Sequence, residues 1–291
     1  FGYNKNLITG KVFGRNFKIE NNDNFKKIFF KLDNSGLSAN INFDESKKNN
    51  LISGIFKSKI LNTNLKFNFD YDGKKFNIYK SYFRSKNLAF KNNTIIIFKP
   101  YFNISSFINI EQIDKKLFKE LKLVKIFESK NLLKNLNSRN EINFKSIKLY
   151  KGAIKDAKLK IDFAYGRMNF IKYFSIEKNR FECAGNLNFL DEYPLLFFNC
   201  FLKLKEKKSF LKAFAIKEKA KNENLELKVL GNLNILNKKI NFKEISINDE
   251  VKIPKEDLKY LKKNFERFLL NETFLDIFEL KKIKNFILEI S

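Results

Sequence analysis

The sequence predicts a mostly β protein: an elongated, curved antiparallel sheet of repeated hairpins with a few interrupting amphipathic helices. Three observations carry that prediction. Apolar and polar residues alternate with a period of two over many short stretches, as in "LKFNFDYDGKKFNIYK" at residues 65–80. Turn chemistry separates these stretches, such as "DNSG" at 33–36 and "DESKKNN" at 44–50, where parallel strands would need long crossover helices. The pattern also recurs. "LKIDFAYGRMNF" (159–170) and "LELKVLGNLNI" (225–235) repeat it, and Gly-Asn-Leu-Asn followed by Phe or Ile occurs at 185–189 and 231–235. Together these phrases describe a degenerate hairpin repeat.

Residues 1–113 read as N-terminal hairpin layers, with strands over 6–13, 26–32, 37–44, 50–60, 64–71, 74–80, 86–91, 94–99 and 101–110. Asp72-Gly73 predicts a two-residue turn, because Gly73 takes positive φ without a Cβ penalty and Asp tolerates it. Residues 114–138 read as an interrupting helix with Asp114 as N-cap. Leu117, Leu121 and Val124 recur at helical spacing there, as do Leu132, Leu133 and Leu136.

A second β region occupies 139–250, with strands over 141–149, 155–165, 167–175, 179–189, 194–205, 224–235 and 239–247. A short helix near 207–217 is suggested by Phe210, Leu211, Phe214 and Ala215. Residues 251–291 read as an amphipathic helical segment. Pro254 suits its first turn, and Glu256 and Asp257 suit the positive end of its dipole. Leu258, Leu261, Phe265 and Phe268 form one stripe, and 274–289 is again amphipathic.

Composition narrows the chemistry. The 291 residues include 35 Phe, no His and no Trp, and the net charge is +26. Without histidine the commonest general base and the commonest metal ligand are absent. No phosphate-binding loop, dinucleotide fingerprint or cysteine–zinc spacing occurs. Asp70, Asp72 and Asp162 read as turn and solvent-face groups. A non-enzymatic protein without catalytic residues, metal or cofactor is therefore expected. "NNT", "NIS" and "NET" match glycosylation acceptors by pattern only in so Asn-rich a chain.

The excess of Lys, Asn, Ile and Phe is what AT-rich coding produces, so much of the charge reads as a solvated exterior. Its physical consequence is attraction of polyanions, with an anionic membrane surface the first partner. Nucleic acid is disfavoured, because a stacking platform needs aromatics and lysines on one surface, and here they alternate onto opposite faces. No apolar run of membrane-spanning length exists. The chain starts at Phe1 without Met, and reads as a piece of a longer protein, upstream of which an anchor or export signal could lie.

The apolar faces are the candidate binding surface. Leu65, Phe67, Phe69, Tyr71, Phe76 and Ile78 share one face of the first hairpin; Leu159, Ile161, Phe163, Met168 and Phe170 share one face of the second. Two readings fit the same alternation. The residues pack into an ordinary core, or they line a groove for a phospholipid or other acyl chain, where each buried CH₂ contributes about 0.8 kcal/mol. The predicted helices are too few to cover so many strands, so the sheet folds over on itself or leaves a channel.

Cys183 and Cys200 flank a predicted hairpin with its turn near Asp191-Glu192. Two small buried thiols are the first expectation. A tight loop would place them directly opposite and allow a cross-strand disulfide in an oxidising compartment. Pro194 lengthens the loop and works against that register.

The order of amphipathic strands, an interrupting helix, then "SIKLYKGAIKDAKLKIDFAYGRMNFI" (146–171) and "GNLNILNKKINFKEISIN" (231–248) resembles the C-terminal region of the AsmA-like family, the AsmA/TamB/YhdP group. That resemblance implies layers of a long curved β-sheet, an N-terminal inner-membrane anchor and a periplasmic location in bacteria. It also implies a role in outer-membrane biogenesis or phospholipid transport along an apolar groove, with no catalytic residues. The alternatives are an envelope scaffold with a closed core, and a basic nucleic-acid-binding module.

Overall fold

The computed structural model describes residues 2–4, 6–12, 14–22, 26–44, 51–114, 130–144, 154–213, 216, 224–270 and 280–290. The protein is mostly β, antiparallel and not closed into a barrel. It divides into two compact units, Phe1–Asp114 and Lys115–Ser291.

The first unit is a meander of ten strands: β1 (Gly2–Asn4), β2 (Leu7–Val12), β3 (Arg15–Asn22), β4 (Lys27–Leu32), β5 (Leu37–Phe43), β6 (Ile52–Ile60), β7 (Thr63–Tyr71), β8 (Lys75–Arg84), β9 (Leu88–Ile97) and β10 (Asn103–Ile113). Each pairs antiparallel with the next. β1 and β3 were not expected. "RNFKIENN" offers only Phe17 and Ile19 as an alternating pair, and its β propensity is supplied by pairing on both sides.

β9 runs unbroken where Asn92-Asn93 predicts a break between 86–91 and 94–99. A bulge in β8 explains this: the register with β9 shifts between Ile78 and Phe83, and Lys80 has φ 49°. Ser81, 3% exposed, satisfies the disturbed ladder. Its hydroxyl accepts the Asn92 N–H at 2.7 Å and donates to the Asn92 carbonyl at 2.6 Å, and the Asn92 amide donates to Thr94 Oγ1 at 2.8 Å. A buried polar group costs little once paired.

The turn between β7 and β8 is offset by one residue from the expected position. Its centre is Gly73-Lys74, since the Asp72 N–H donates to the Lys75 carbonyl at 3.2 Å and Gly73 has φ 85°. Asp72 is the preceding position. Its Oδ1 accepts the N–H groups of Lys74 at 2.9 Å and Lys75 at 2.7 Å, the Asx arrangement that favours Asp in turns.

The second unit contains β11 (Ser138–Phe144), β12 (Ile154–Ala164), β13 (Arg167–Ile176), β14 (Asn179–Asn188), β15 (Leu195–Leu204), β16 (Leu225–Asn234), β17 (Lys239–Ile247) and β18 (Val251–Lys252). These again pair in sequence order. Its described helices are α1 (Lys130–Asn135), α2 (Lys207–Ala213), α3 (Lys255–Leu269) and α4 (Leu280–Ile290). Of the helix expected over 114–138, residues 115–129 lie outside the described residues, and Ser138 already belongs to β11. Residues 45–50, 145–149, 214–215 and 271–279, where further turn, strand and helix expectations fall, also lie outside them. Pro254 is the N-cap of α3 rather than part of its first turn, and its carbonyl accepts the Leu258 N–H at 3.0 Å.

The helices pack onto the apolar face of this second sheet. Leu133, carried by α1, is buried with Leu187 and Phe189. Leu211 of α2 is buried with Ile176, and Ile283 and Ile287 of α4 pack against them. Leu270, just past α3, is buried with Leu233 and Ile240. Glu266 pins α3 to β17 by accepting the Ile240 N–H at 3.0 Å and meeting Lys239 Nζ at 3.0 Å. Asn179, fully buried, joins the β13–β14 turn to α2: its amide donates to the Ile176 carbonyl at 3.1 Å and its oxygen accepts the Glu206 N–H at 3.2 Å.

A row across the second sheet alternates large and small: Phe170, Gly185, Phe198, Gly231, Phe242. The two glycines of the Gly-Asn-Leu-Asn phrases are thus strand-interior positions beneath phenylalanine rings. Gly54, between Phe43 and Phe69, repeats the arrangement in the first unit. Glycine in a strand marks a close approach of this kind.

Candidate functional site

In the first unit the register collects the alternating residues into one apolar face. Ile41 faces Phe56, which faces Phe67; Phe43, Gly54, Phe69 and Ile78 form the next row; Ile52, Tyr71, Phe76 and Ile96 form another. The rings stack or meet edge to face: Phe56–Phe67 at 4.8 Å, Phe69–Phe76 at 5.4 Å, Phe43–Phe69 at 6.0 Å and Tyr71–Phe98 at 6.2 Å between centroids. Such geometries add stabilisation beyond area burial.

Above these rings lies an open trough of about 490 Å³. Phe67, Phe69, Tyr71 and Phe76 line it, so four of the six residues singled out in the first hairpin come together there. Leu65 and Ile78 share the face but lie outside the lining. The alternation alone did not single out Ile41, Phe43, Ile52, Phe56 and Phe98, which complete the wall. They belong to the same period-two pattern, but only register shows that they meet the hairpin. The Tyr71 hydroxyl is the one polar side-chain group in the lining.

Among the described residues the first unit itself contains no helix. The contrast with the second unit is large: among the described residues Phe69, Ala89 and Ile110 are the buried apolar core residues of the first unit, against twelve in the second. Ile52 and Phe98, both in the trough wall, keep 50% and 45% of their surface exposed. Full burial of such side chains would contribute roughly 1.5–3 kcal/mol each, so the uncovered face forgoes stability that an apolar ligand could restore.

The second group of candidates is placed differently. Phe163 and Met168 pack against the buried cluster of Leu133, Leu187 and Phe189, with the Phe163 and Phe189 rings 6.1 Å apart. Protein side chains fill that space, which corrects the groove expectation at these two positions. Leu159, Ile161 and Phe170 are half-buried on the same sheet face.

The two sulfurs of Cys183 and Cys200 are bonded to each other, which replaces the expectation of free thiols. The loop 189–194 is longer than a tight turn, yet the register holds, with Leu187 opposite Leu196 and Cys183 opposite Cys200. Asn188 orders the loop by donating to Asp191 Oδ1 at 2.6 Å and accepting the Leu190 N–H at 3.1 Å, and Pro194 is fully buried.

Beside the disulfide, Lys172 occupies an apolar-face position opposite Leu159 and Cys183, with Nζ 5.2 Å from the Phe174 ring centroid. Burial pushes its ammonium pKa below the ordinary lysine value. The period-two pattern held the signal for Lys172, a charge where an apolar residue is due. On the wet face of the first unit, Tyr79 donates to Asp70 Oδ1 at 3.2 Å, and burial together with that carboxylate raises its pKa.

Among the described residues no cluster of metal-ligating side chains occurs, and no helix is long and apolar enough to cross a membrane. No family model, curated protein or solved structure matches the chain.

Proposed function

We propose that the first unit holds the acyl chain of a lipid in the Phe67–Phe69–Phe76 trough. The protein then serves, without catalysing a reaction, as a segment of a bacterial periplasmic lipid-transfer path or as an outer-membrane biogenesis factor of AsmA-like type. The observation that carries this reading is an apolar, aromatic trough left uncovered on a folded sheet. Its volume of about 490 Å³ falls within the range of pockets that hold one small organic ligand, roughly 300–1,000 Å³. The Cys183–Cys200 disulfide supports an oxidising compartment such as the periplasm. The mechanism is passive. The acyl chain gains by leaving water, and the trough contributes shape, with the Tyr71 hydroxyl its one polar side-chain group.

The second unit favours a scaffold role for its own sheet, because its helices already occupy the apolar face. The test is native mass spectrometry and lipid extraction on the purified full chain, beside an Ile52→Glu variant. Ile52 lines the trough yet is half exposed, so the variant keeps the fold. Co-purifying lipid that disappears with Ile52→Glu is expected. A wild-type protein that neither carries nor takes up lipid sinks the proposal.

A further inference from the structure

The opposite face of the first sheet carries a second feature. Lys31 of β4, Lys57 and Lys59 of β6, Lys66 of β7 and Arg84 of β8 all project from it and are exposed. None of the five has an ion-pair partner among the described residues; the neighbouring Lys18 of β3 is paired to Glu20. Lys57 and Lys66 stand directly opposite each other across the β6–β7 pair. Like charges in that position repel and weaken a sheet. From β4 to β8 the patch spans four strand spacings, roughly 19 Å.

Aromatic groups lie among these cations, which corrects the expectation that aromatics and lysines alternate onto opposite faces. Tyr82 is opposite Lys66 and its hydroxyl accepts from Arg84 Nη1 at 3.3 Å, while Phe29 is two residues from Lys31 on the same face. Lysine and arginine mixed with tyrosine and phenylalanine are the residue types that sit at a lipid headgroup layer.

We infer that this face is an electrostatic docking surface for an anionic lipid bilayer. Clusters of four to eight basic residues bind anionic headgroups additively, and each removed cation weakens binding about fivefold. Several headgroups contacted together neutralise the Lys57–Lys66 repulsion that the sheet alone leaves in place. A single-stranded nucleic acid would need free aromatic faces to stack on. Phe29 and Tyr82 are both half-buried by their neighbours, and the disulfide favours a compartment poor in nucleic acid. This docking is independent of the trough, which opens on the other face of the same sheet.

The experiment is co-sedimentation of the full chain with vesicles of phosphatidylcholine alone and of phosphatidylcholine mixed with phosphatidylglycerol. Binding only to the mixed vesicles, and weaker at higher salt, is expected. Replacing Lys57, Lys59, Lys66 and Arg84 with Gln should weaken binding by several hundredfold, by roughly fivefold per cation. A control with Lys158, Lys228, Lys255 and Lys259 replaced by Gln removes the same charge from exposed positions of the second unit and should bind as the wild type does. Equal loss in both variants would show diffuse net charge at work and overturn the assignment. No binding to anionic vesicles, or tighter binding of a single-stranded oligonucleotide that releases the vesicles, also overturns it. Ile52→Glu should dock normally, so failure of the trough reading and failure of this one are separable.

Discussion

The ring of Phe170 lies over the backbone of Gly185 on the adjacent strand, so closely that a methyl group at Gly185 would come within 2.5 Å of the ring and 2.3 Å of the Phe197 carbonyl oxygen. The ring occupies the volume that a side chain would otherwise take. Phe198 over Gly231 and Phe69 over Gly54 repeat the relationship. These glycines are therefore packing residues, and the aromatic cover offsets what a bare strand backbone would lose to water.

Gly185→Ala should destabilise the protein by about 2–3 kcal/mol, the cost of overpacking against a fixed neighbour. Urea unfolding measures this. Trimming the ring in a Gly185→Ala, Phe170→Leu double variant should recover only part of the loss, because the Phe197 carbonyl is backbone and stays. Full recovery would mean that the ring alone imposes the constraint.

The chain has no tryptophan, so Phe98→Trp places a lone indole, excited selectively over the tyrosines, at the exposed rim of the trough. Its emission should move to shorter wavelength when palmitate is titrated in, as the indole leaves water. An emission maximum that ignores palmitate in a folded variant would count against acyl binding there.

The disulfide closes a loop with a sequence separation of 17, for which chain-entropy arguments give about 3 kcal/mol. Replacing both Cys183 and Cys200 with Ala should lower unfolding stability by about that amount. Reductant should lower the wild-type midpoint and leave the double variant's midpoint unchanged. If reductant shifts both alike, the bridge is not the cause.

Asp72 accepts the N–H groups of Lys74 and Lys75, and these two bonds hold its carboxyl pKa below the ordinary value. A depressed folded-state pKa contributes stability above the unfolded pKa, about 3.9. That contribution is lost as pH falls through the folded value. The wild-type denaturation midpoint should therefore drop more steeply with acidification below about pH 3.9 than that of Asp72→Ser, which cannot ionise. Parallel pH profiles would remove the turn carboxylate from the explanation.

Much of the fold is legible in the sequence because a strand's alternation is local. "LKFNFDYDGKKFNIYK" declares two strands, their shared apolar face and a turn, since each follows from residues adjacent in the chain. The turn is displaced by one residue because Asp72 is better used as an acceptor of two N–H groups than as a turn centre. Asn92-Asn93 looks like a break in β9, and only the Ser81 bulge on the neighbouring strand shows where those polar groups are satisfied.

By itself, then, the sequence determined most of the strands, though not β1, β3 or β18, and which side chains lie on each side of them, because those properties repeat every two residues. The tertiary structure decided everything that depends on register and coverage. It set Phe56 beside Phe67, Gly185 beneath Phe170 and Cys183 against Cys200, since pairing partners depend on loop lengths and bulges far along the chain. It also placed the described helices on the second sheet, while the first unit has no described helix of its own. A helix's apolar stripe shows that it must be buried but not against which sheet, so the trough emerges only when the units are folded.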